Sequence, residues 1–262
     1  MSAAVYKNTK SIITGGIQGL GFAIAESLIV KWCQHIILAA RDSEKGQYAA
    51  KALTNQGASV HFHKTDLSDT QSVISMVDFA ENKMGGVNAL VNAGAITDRG
   101  SILNTTEEEW DRITATNARG PFFAIQSVVK RAVKAGSRAS IVNILTTSSH
   151  CGQTFLAGYF ASKATLSNMT KNAAHALRSY KIRVGGINIG WMDTPGEDKI
   201  QRKWHGATDG WPEKAKISQP FGQLIKAEEV ACLVSYLLSY QSGVITGSII
   251  DFDQNIAGSF PE

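Results

Sequence analysis

Cysteine is scarce in this chain: Cys33, Cys151 and Cys232 stand far apart, with no paired spacing that could build a zinc site or a disulfide framework. A reducing compartment fits that usage. There is no run of 18 uncharged apolar residues, so no segment reads as a membrane span. Met1 to Lys10 holds no apolar stretch of the kind a secretory leader needs, and the expectation is a soluble, cytoplasmic protein with no membrane partner. An excess of one charge is missing too. The 26 Lys and Arg against 22 Asp and Glu leave a net +4 spread along the chain, which implies no nucleic-acid partner. Pro- or Ser-rich linkers, low-complexity tracts and internal repeats are absent, so one domain covering 1–262 is expected. What remains is 262 residues, 44% apolar and 18% charged, enough to bury a sizeable core.

Short β-branched runs alternate with longer helical patterns. The runs are Ser11–Thr14, Ile36–Ala39, Ser59–Phe62, Val87–Val91, Ser140–Ile144, Ile182–Val184 and Ser248–Ile250. Strands separated by helices imply a parallel sheet, and strands buried on both faces read as continuous apolar runs, as most of these do. The predicted fold class is therefore α/β: a single doubly wound, Rossmann-type domain of about seven parallel strands with helices on both faces. Leu20 to Val30 has helical spacing, and Thr105-Thr-Glu-Glu-Glu109 reads as an N-cap followed by Glu three residues later. The stretch 190–219 differs: it has Gly, Pro, charge and Trp191, Trp204 and Trp211, but no clear period. It is read as an irregular substrate lid. Its tryptophans could stack on a sugar ring or pack the lid onto the body, and the sequence does not choose.

The first strand runs into Thr14-Gly15-Gly16-Ile17-Gln18-Gly19-Leu20-Gly21, which opens a helix. Small residues there allow a tight turn and let a pyrophosphate approach backbone N–H groups at the positive end of a helix. The spacing Gly-x-x-x-Gly-x-Gly resembles that of the short-chain dehydrogenases/reductases.

That resemblance carries further expectations. An acidic residue ending the second strand would serve the adenosine ribose 2′-OH and favour NAD; here the position is Ala40, followed by Arg41, whose guanidinium suits a 2′-phosphate. NADP is preferred over NAD. Asp42 could still turn inward to the 2′-OH, and Gln18 stands where many NADP-binding members have a second basic residue. Asp66-Leu67 and Val91-Asn92-Ala93-Gly94 follow the third and fourth strands, where the family flanks the adenine and the central part of the cofactor, with Val91 in place of a first Asn.

Tyr159-Phe-Ala-Ser-Lys163 places a phenol and an ammonium four apart, on one face of a helix. A free Tyr has a pKa near 10, and each unit of lowering needs about 1.36 kcal/mol, which Lys163 and an oxidised nicotinamide could supply. Tyr159 would then serve as general acid and base. The resemblance adds a hydroxyl thirteen residues earlier, just after the fifth strand; that position is Thr146 where the family has Ser, with Ser148 as the alternative. It also adds Asn117, expected to hold a water connecting Lys163 to solvent. In Asn188-Ile-Gly-Trp-Met-Asp-Thr194, Ile189 stands for the family's Pro, Gly190 lies beside it and Thr194 would bond the nicotinamide carboxamide. Ile245 to Asp253 resembles the last strand and its approach, with Gln254-Asn255 in place of Gly-Gly.

His61 and His63 alternate on the third strand without a third ligand nearby, so no metal is expected, and His150 with Cys151 is not read as a nucleophilic pair. The function implied is hydride transfer between NADP(H) or NAD(H) and a small polar alcohol or ketone, sugar- or polyol-like because His150 and Gln153 suit hydroxyl groups. The alternatives are a 3-oxoacyl thioester reductase and a dinucleotide-binding sensor without turnover. A homo-oligomer, tetramer or dimer, is implied by the resemblance alone.

Overall fold

The computed structural model describes residues 7–31 and 33–259. Most of the Met1–Lys10 segment considered above for a leader lies outside the described residues. Seven strands form one sheet: β1 (Lys10–Thr14), β2 (His35–Ala40), β3 (Ser59–Lys64), β4 (Ala89–Asn92), β5 (Ala139–Thr146), β6 (Ile182–Ile189) and β7 (Ile249–Phe252). Their order is β3-β2-β1-β4-β5-β6-β7 and each adjoining pair is parallel. The fold class read from the sequence is the one found.

Nine helices connect and cover the strands among the described residues: α1 (Gly19–Val30), α2 (Ser43–Thr54), α3 (Thr70–Met84), α4 (Glu107–Thr114), α5 (Gly120–Lys134), α6 (Ala157–Leu177), α7 (Pro195–His205), α8 (Trp211–Ile217) and α9 (Ala227–Leu238). Neighbouring strand residues face opposite layers and both are apolar. Ile13, Ile36 and Val142 join α1, α2 and α9 in one core, whereas Ile12, Ile37 and Ile141 join α3, α5 and α6 in the other. This two-sided burial is what makes parallel strands legible as unbroken apolar runs.

The predicted start of α4 is a capping box: Thr106 Oγ1 accepts from the Glu109 N–H at 3.2 Å, and Glu109 Oε2 accepts from the Thr106 N–H at 3.1 Å. From Glu107 to Lys134 the backbone stays helical, because a π-helical turn over Ala115–Arg119 joins α4 to α5. Asn117 lies in that turn.

The stretch 190–219 is a correction. It is largely helical rather than irregular, made of α7 and α8. Thr194 caps α7 by accepting from the Glu197 N–H at 3.1 Å, Pro195 follows, and Gly206 closes the helix with φ +62°. No period showed because α7 buries no residue and α8 is only seven residues long. Trp191 stacks on Trp211 with centroids 6.0 Å apart, and their ring N–H groups donate to Glu197 and Asp198. These two tryptophans pack the segment together.

Candidate active site

The sheet order reverses between β1 and β4, and a crevice opens at the carboxyl ends of these strands, as such switch points require. It widens into a cavity of about 1190 Å³, larger than the roughly 300–1,000 Å³ of ordinary small-ligand pockets. Gly15, Gln18, Gly19, Leu20 and Gly21 line one end. Gly15 takes φ +69°, and a Cβ on it would come within 2.8 Å of Gly94 Cα; a Cβ on Gly21 would lie 2.3 Å from Gly15 O. Only bare backbone fits there, and it leaves the start of α1 open to the cavity with no acidic residue in its first turn.

Thr14 and Asn92 do not line the cavity. Both are buried behind its wall: Thr14 Oγ1 accepts from the Ala93 and Gly94 N–H groups at 3.1 Å each, and Asn92 Nδ2 donates to Asn143 Oδ1 at 2.8 Å. Ala93 and Gly94 are thereby held at the surface of the crevice, where Asp66, Leu67 and Arg41 also line it. The Ser68 hydroxyl, with the Ser68 N–H and Arg41 adding to it, holds the Asp66 carboxyl below its usual range despite burial. Asp42 lines the crevice too, while its Oδ1 caps α2 by accepting from the Lys45 N–H at 3.1 Å. Lys45, which sequence reasoning missed, lines the cavity near Arg41. Lying one turn into α2, it falls outside any strand-end rule.

At the other end Thr146, Tyr159, Lys163, Gly190 and Thr194 come together. A Cβ on Gly19 would meet Thr194 at 3.5 Å, so the glycine turn and the Thr194 segment nearly touch along one edge of the cavity. Thr146 is the last residue of β5 rather than just after it, because the strand runs two residues past the expected Ile144 and pairs with β6 through Thr146 and Ile189. A Pro at 189 would lack the N–H this longer strand can use; Ile189 is 5% exposed. The Thr146 hydroxyl accepts from the Ser148 N–H at 3.2 Å and lies close enough to the Tyr159 phenol to favour its ionised form. Ser148 lines the cavity from a 3-10 turn over Thr147–His150.

The electrostatics of the protein alone run opposite to the lowering that Lys163 and an oxidised nicotinamide together are expected to supply. Tyr159 lines the cavity yet is walled by protein, and burial pushes its phenol up to about 12; Glu197 adds to the rise, while Thr146 and Arg99 oppose it. Lys163 does not lower it here. Its ammonium, 3% exposed, donates to Ile144 O at 2.7 Å, sits 5.9 Å from the Tyr159 ring centroid and is pulled down to about 8 by burial. Desolvation is the largest influence on both groups. Asn117 does not line the cavity either. Its side chain donates to Ile96 O and Ser162 Oγ at 2.9 and 3.1 Å and accepts from the Ile96 N–H at 2.9 Å, which braces the loop after β4 against the residue beside Lys163.

His150 is a second correction. It lies off the cavity, with Nε2 3.1 Å from Asp251 and 2.8 Å from Asn188, because the 3-10 turn carries it away; Gln153 does line the cavity. Cys151 is exposed and not in the lining. His61 and His63 bond to Ser59, Thr65 and Ser75. Gln254, one of the two Gly-Gly replacements, accepts from the Phe221 N–H at 2.8 Å and donates to Gln223 O at 2.5 Å, tying the chain's end to the segment after α8. The groups missed at this end are Arg99, Phe155 and Glu197, all lining the cavity. No spacing rule could have flagged Arg99, whose position is set by the path of the loop after β4.

A model of the family described as Enoyl-(Acyl carrier protein) reductase matches residues 15–254. An NADP-dependent (R)-specific alcohol dehydrogenase of Lentilactobacillus kefiri is 30% identical over 244 residues, spanning 92% of this chain and 94% of that protein. A 3-oxoacyl-(acyl-carrier-protein) reductase of Chlamydia muridarum is 30% identical over 251 residues, with 95% and 98% covered. Among solved structures, levodione reductase superposes with a TM-score of 0.89 at 25% identity, over 97% of this chain and 100% of that one. The chain belongs to the short-chain dehydrogenase/reductase family. It is an oxidoreductase, and its family works with NAD or NADP. No helix among the described residues is long and apolar enough to cross a membrane.

Proposed function

We propose that the protein is an NADP(H)-dependent reductase of small polar ketones, reversible on the corresponding alcohols, with Tyr159 as the proton-transferring residue. The observation that carries this is the grouping of Tyr159, Thr146 and Lys163 in the cavity that the glycine turn opens, with the Lys163 ammonium 5.9 Å from the Tyr159 ring centroid. When bound, the nicotinamide supplies or takes the hydride. Gly15, Gln18, Gly19, Leu20 and Gly21 would hold the pyrophosphate, Asp66 and Leu67 the adenine side, and Ala93 and Gly94, backed by Thr14 and Asn92, the central portion. Lys163 would hold the nicotinamide ribose, and Gly190 with Thr194 the carboxamide.

Two features support NADP over NAD. One Asp42 oxygen is drawn to its helix cap, and Arg41 is joined by Lys45, so two cations line the cavity where a 2′-phosphate would sit. The name of the Lentilactobacillus relative agrees.

Tyr159, held protonated at neutral pH, can give its proton to the substrate oxygen in reduction. Thr146 donates a second hydrogen bond to that oxygen as charge develops there. Asn117 acts by position, steadying Ser162 and with it Lys163. In this reading residues 1–262 work as one domain, 190–219 as a lid over the substrate, and the chain as a homo-oligomer whose size light scattering would read.

The test is NADPH consumption with a panel of ketones, sugars and polyol-derived carbonyls, repeated with Tyr159→Phe. No consumption with any member would refute the reading. The panel should include a 3-oxoacyl thioester, because the Chlamydia relative carries that activity in its name. The polar lining from Gln153, Arg99 and Glu197 ranks an acyl chain second.

A further inference from the structure

Arg99 follows β4 in the loop that Asn117 braces, and it is half-buried in the cavity wall. Its guanidinium is held on two sides. Nε and one terminal nitrogen reach His205 Nε2 at 3.2 and 3.1 Å, and the other terminal nitrogen donates to Thr97 O at 2.9 Å. The Phe155 ring lies beneath it, 5.5 Å from the guanidinium carbon, and His205 meets the same ring edge-on at 5.2 Å. A guanidinium has five N–H donors, so one on each terminal nitrogen is left without an acceptor among the described residues.

No carboxylate pairs with it among the described residues. Asp98, its neighbour, is taken by Arg112 at 2.8 Å and approached by Lys203 at 3.9 Å. Glu197, which acts on Arg99 electrostatically, makes no hydrogen bond to it; its Oε1 accepts from Trp191 and Gln201 at 3.0 and 2.7 Å. Glu197 and Asp98 compensate part of its charge through space, yet no carboxylate fills its two remaining donors, which leaves a partly desolvated guanidinium in the cavity wall with room for a hydrogen-bonding anion.

We propose that Arg99 is the specificity-determining residue of the substrate end, and that the carbonyl substrate carries a carboxylate which Arg99 receives through its two unpartnered N–H groups. This rests on the reductase reading above. It narrows the substrate class from polar ketones to oxo acids, or hydroxy acids in reverse. Charge-assisted bidentate pairing is the geometry for which Arg, and not Lys, is suited.

The test is steady-state kinetics with NADPH on oxo acids from 2-oxopropanoate to 5-oxohexanoate, each beside its methyl ester. The protein should prefer at least one acid over its ester by about tenfold or more in kcat/KM, expressed mainly in KM, as a charged hydrogen-bonded pair provides. Arg99→Gln should bring that ratio close to one, and Arg99→Lys should keep part of it, with NADPH affinity as the control for folding. A wholly structural Arg99 would instead depress acid and ester together and leave the ratio intact. That result, or an unchanged preference for acids in Arg99→Gln, or no acid preference at all, overturns the proposal.

Calorimetric titration of the same acids into the NADP-saturated protein separates the two readings. Binding that is lost in Arg99→Gln without any NADPH oxidation would keep the anion site and remove the reductase. Ketone reduction with no acid binding would keep the reductase and remove the anion site.

Discussion

The two ends of the cavity are built by opposite means. The nucleotide end is a backbone surface: glycines that tolerate no Cβ, N–H groups at the start of α1, and polar side chains such as Thr14 and Asn92 buried behind to hold the wall in shape. The substrate end is a side-chain surface, with Arg99, Phe155 and Glu197 brought from the loop after β4, the approach to α6 and the first turn of α7. A backbone surface recognises what every member of a family binds. A side-chain surface is where members can diverge without disturbing the sheet, which is why the first was legible from spacing and the second was not.

Substitutions at the junction test this contrast most severely. Tyr159→Phe should lower turnover by about a hundred- to ten-thousandfold, the usual weight of general acid–base catalysis, while NADPH affinity measured by fluorescence changes little. Loss of both together would mean that the two ends are not separable. Thr146→Val, which keeps shape without the hydroxyl, should cost about a hundred- to a thousandfold in kcat, with Thr146→Ser remaining active. If Ser148→Ala is the damaging change instead, the hydroxyl comes from the 3-10 turn and not from the strand end.

Lys163 offers a measurement on the cofactor-free protein. Its ammonium dissociates near 8 in the folded chain and near 10.5 when unfolded, so below 8 both states hold the proton and the folded state bears the full cost of a buried cation. Between 8 and 10.5 the unfolded chain binds more protons, and raising the pH therefore stabilises the fold. Urea midpoints should rise from pH 7.5 to 9.5 by the equivalent of about 2 kcal/mol relative to Lys163→Met. Equal pH slopes in the two proteins would contradict the assigned environment.

The smallest expected change is at the nucleotide end. Arg41→Ala or Lys45→Ala should weaken NADPH about tenfold and NADH hardly at all, as loss of one charged hydrogen bond to a 2′-phosphate implies. Equal losses for both nucleotides would return Asp42 to consideration.

The sheet was readable because each strand residue is buried whichever way it points, so Ile12-Ile13 and Ile36-Ile37 carry the signal on consecutive positions. The start of α4 was readable because a capping box is local. What escaped depends on three-dimensional partners. The helices of 190–219 were hidden because α7 buries nothing, and the position of His150 follows from a single 3-10 turn. For Tyr159, spacing gave the right neighbour but not the sign of the shift, since the phenol answers to burial more than to a lysine aimed at Ile144 O.

The π-helical turn at Ala115–Arg119 has a consequence beyond holding Asn117. An α-helix advances about 100° per residue, so the extra residue of a π turn rotates everything beyond it by roughly that angle. Before the turn, Ile113 and Trp110 face Gly158 on α6; after it, Ala124 and Val128 face the sheet. A straight helix of the same sequence would point one of these sets at water. Deleting a single residue between 115 and 119 would therefore act like a gear slipping one tooth, with α4 or α5 turned away from its seat and the loop that carries Arg99 losing its anchor at Asn117.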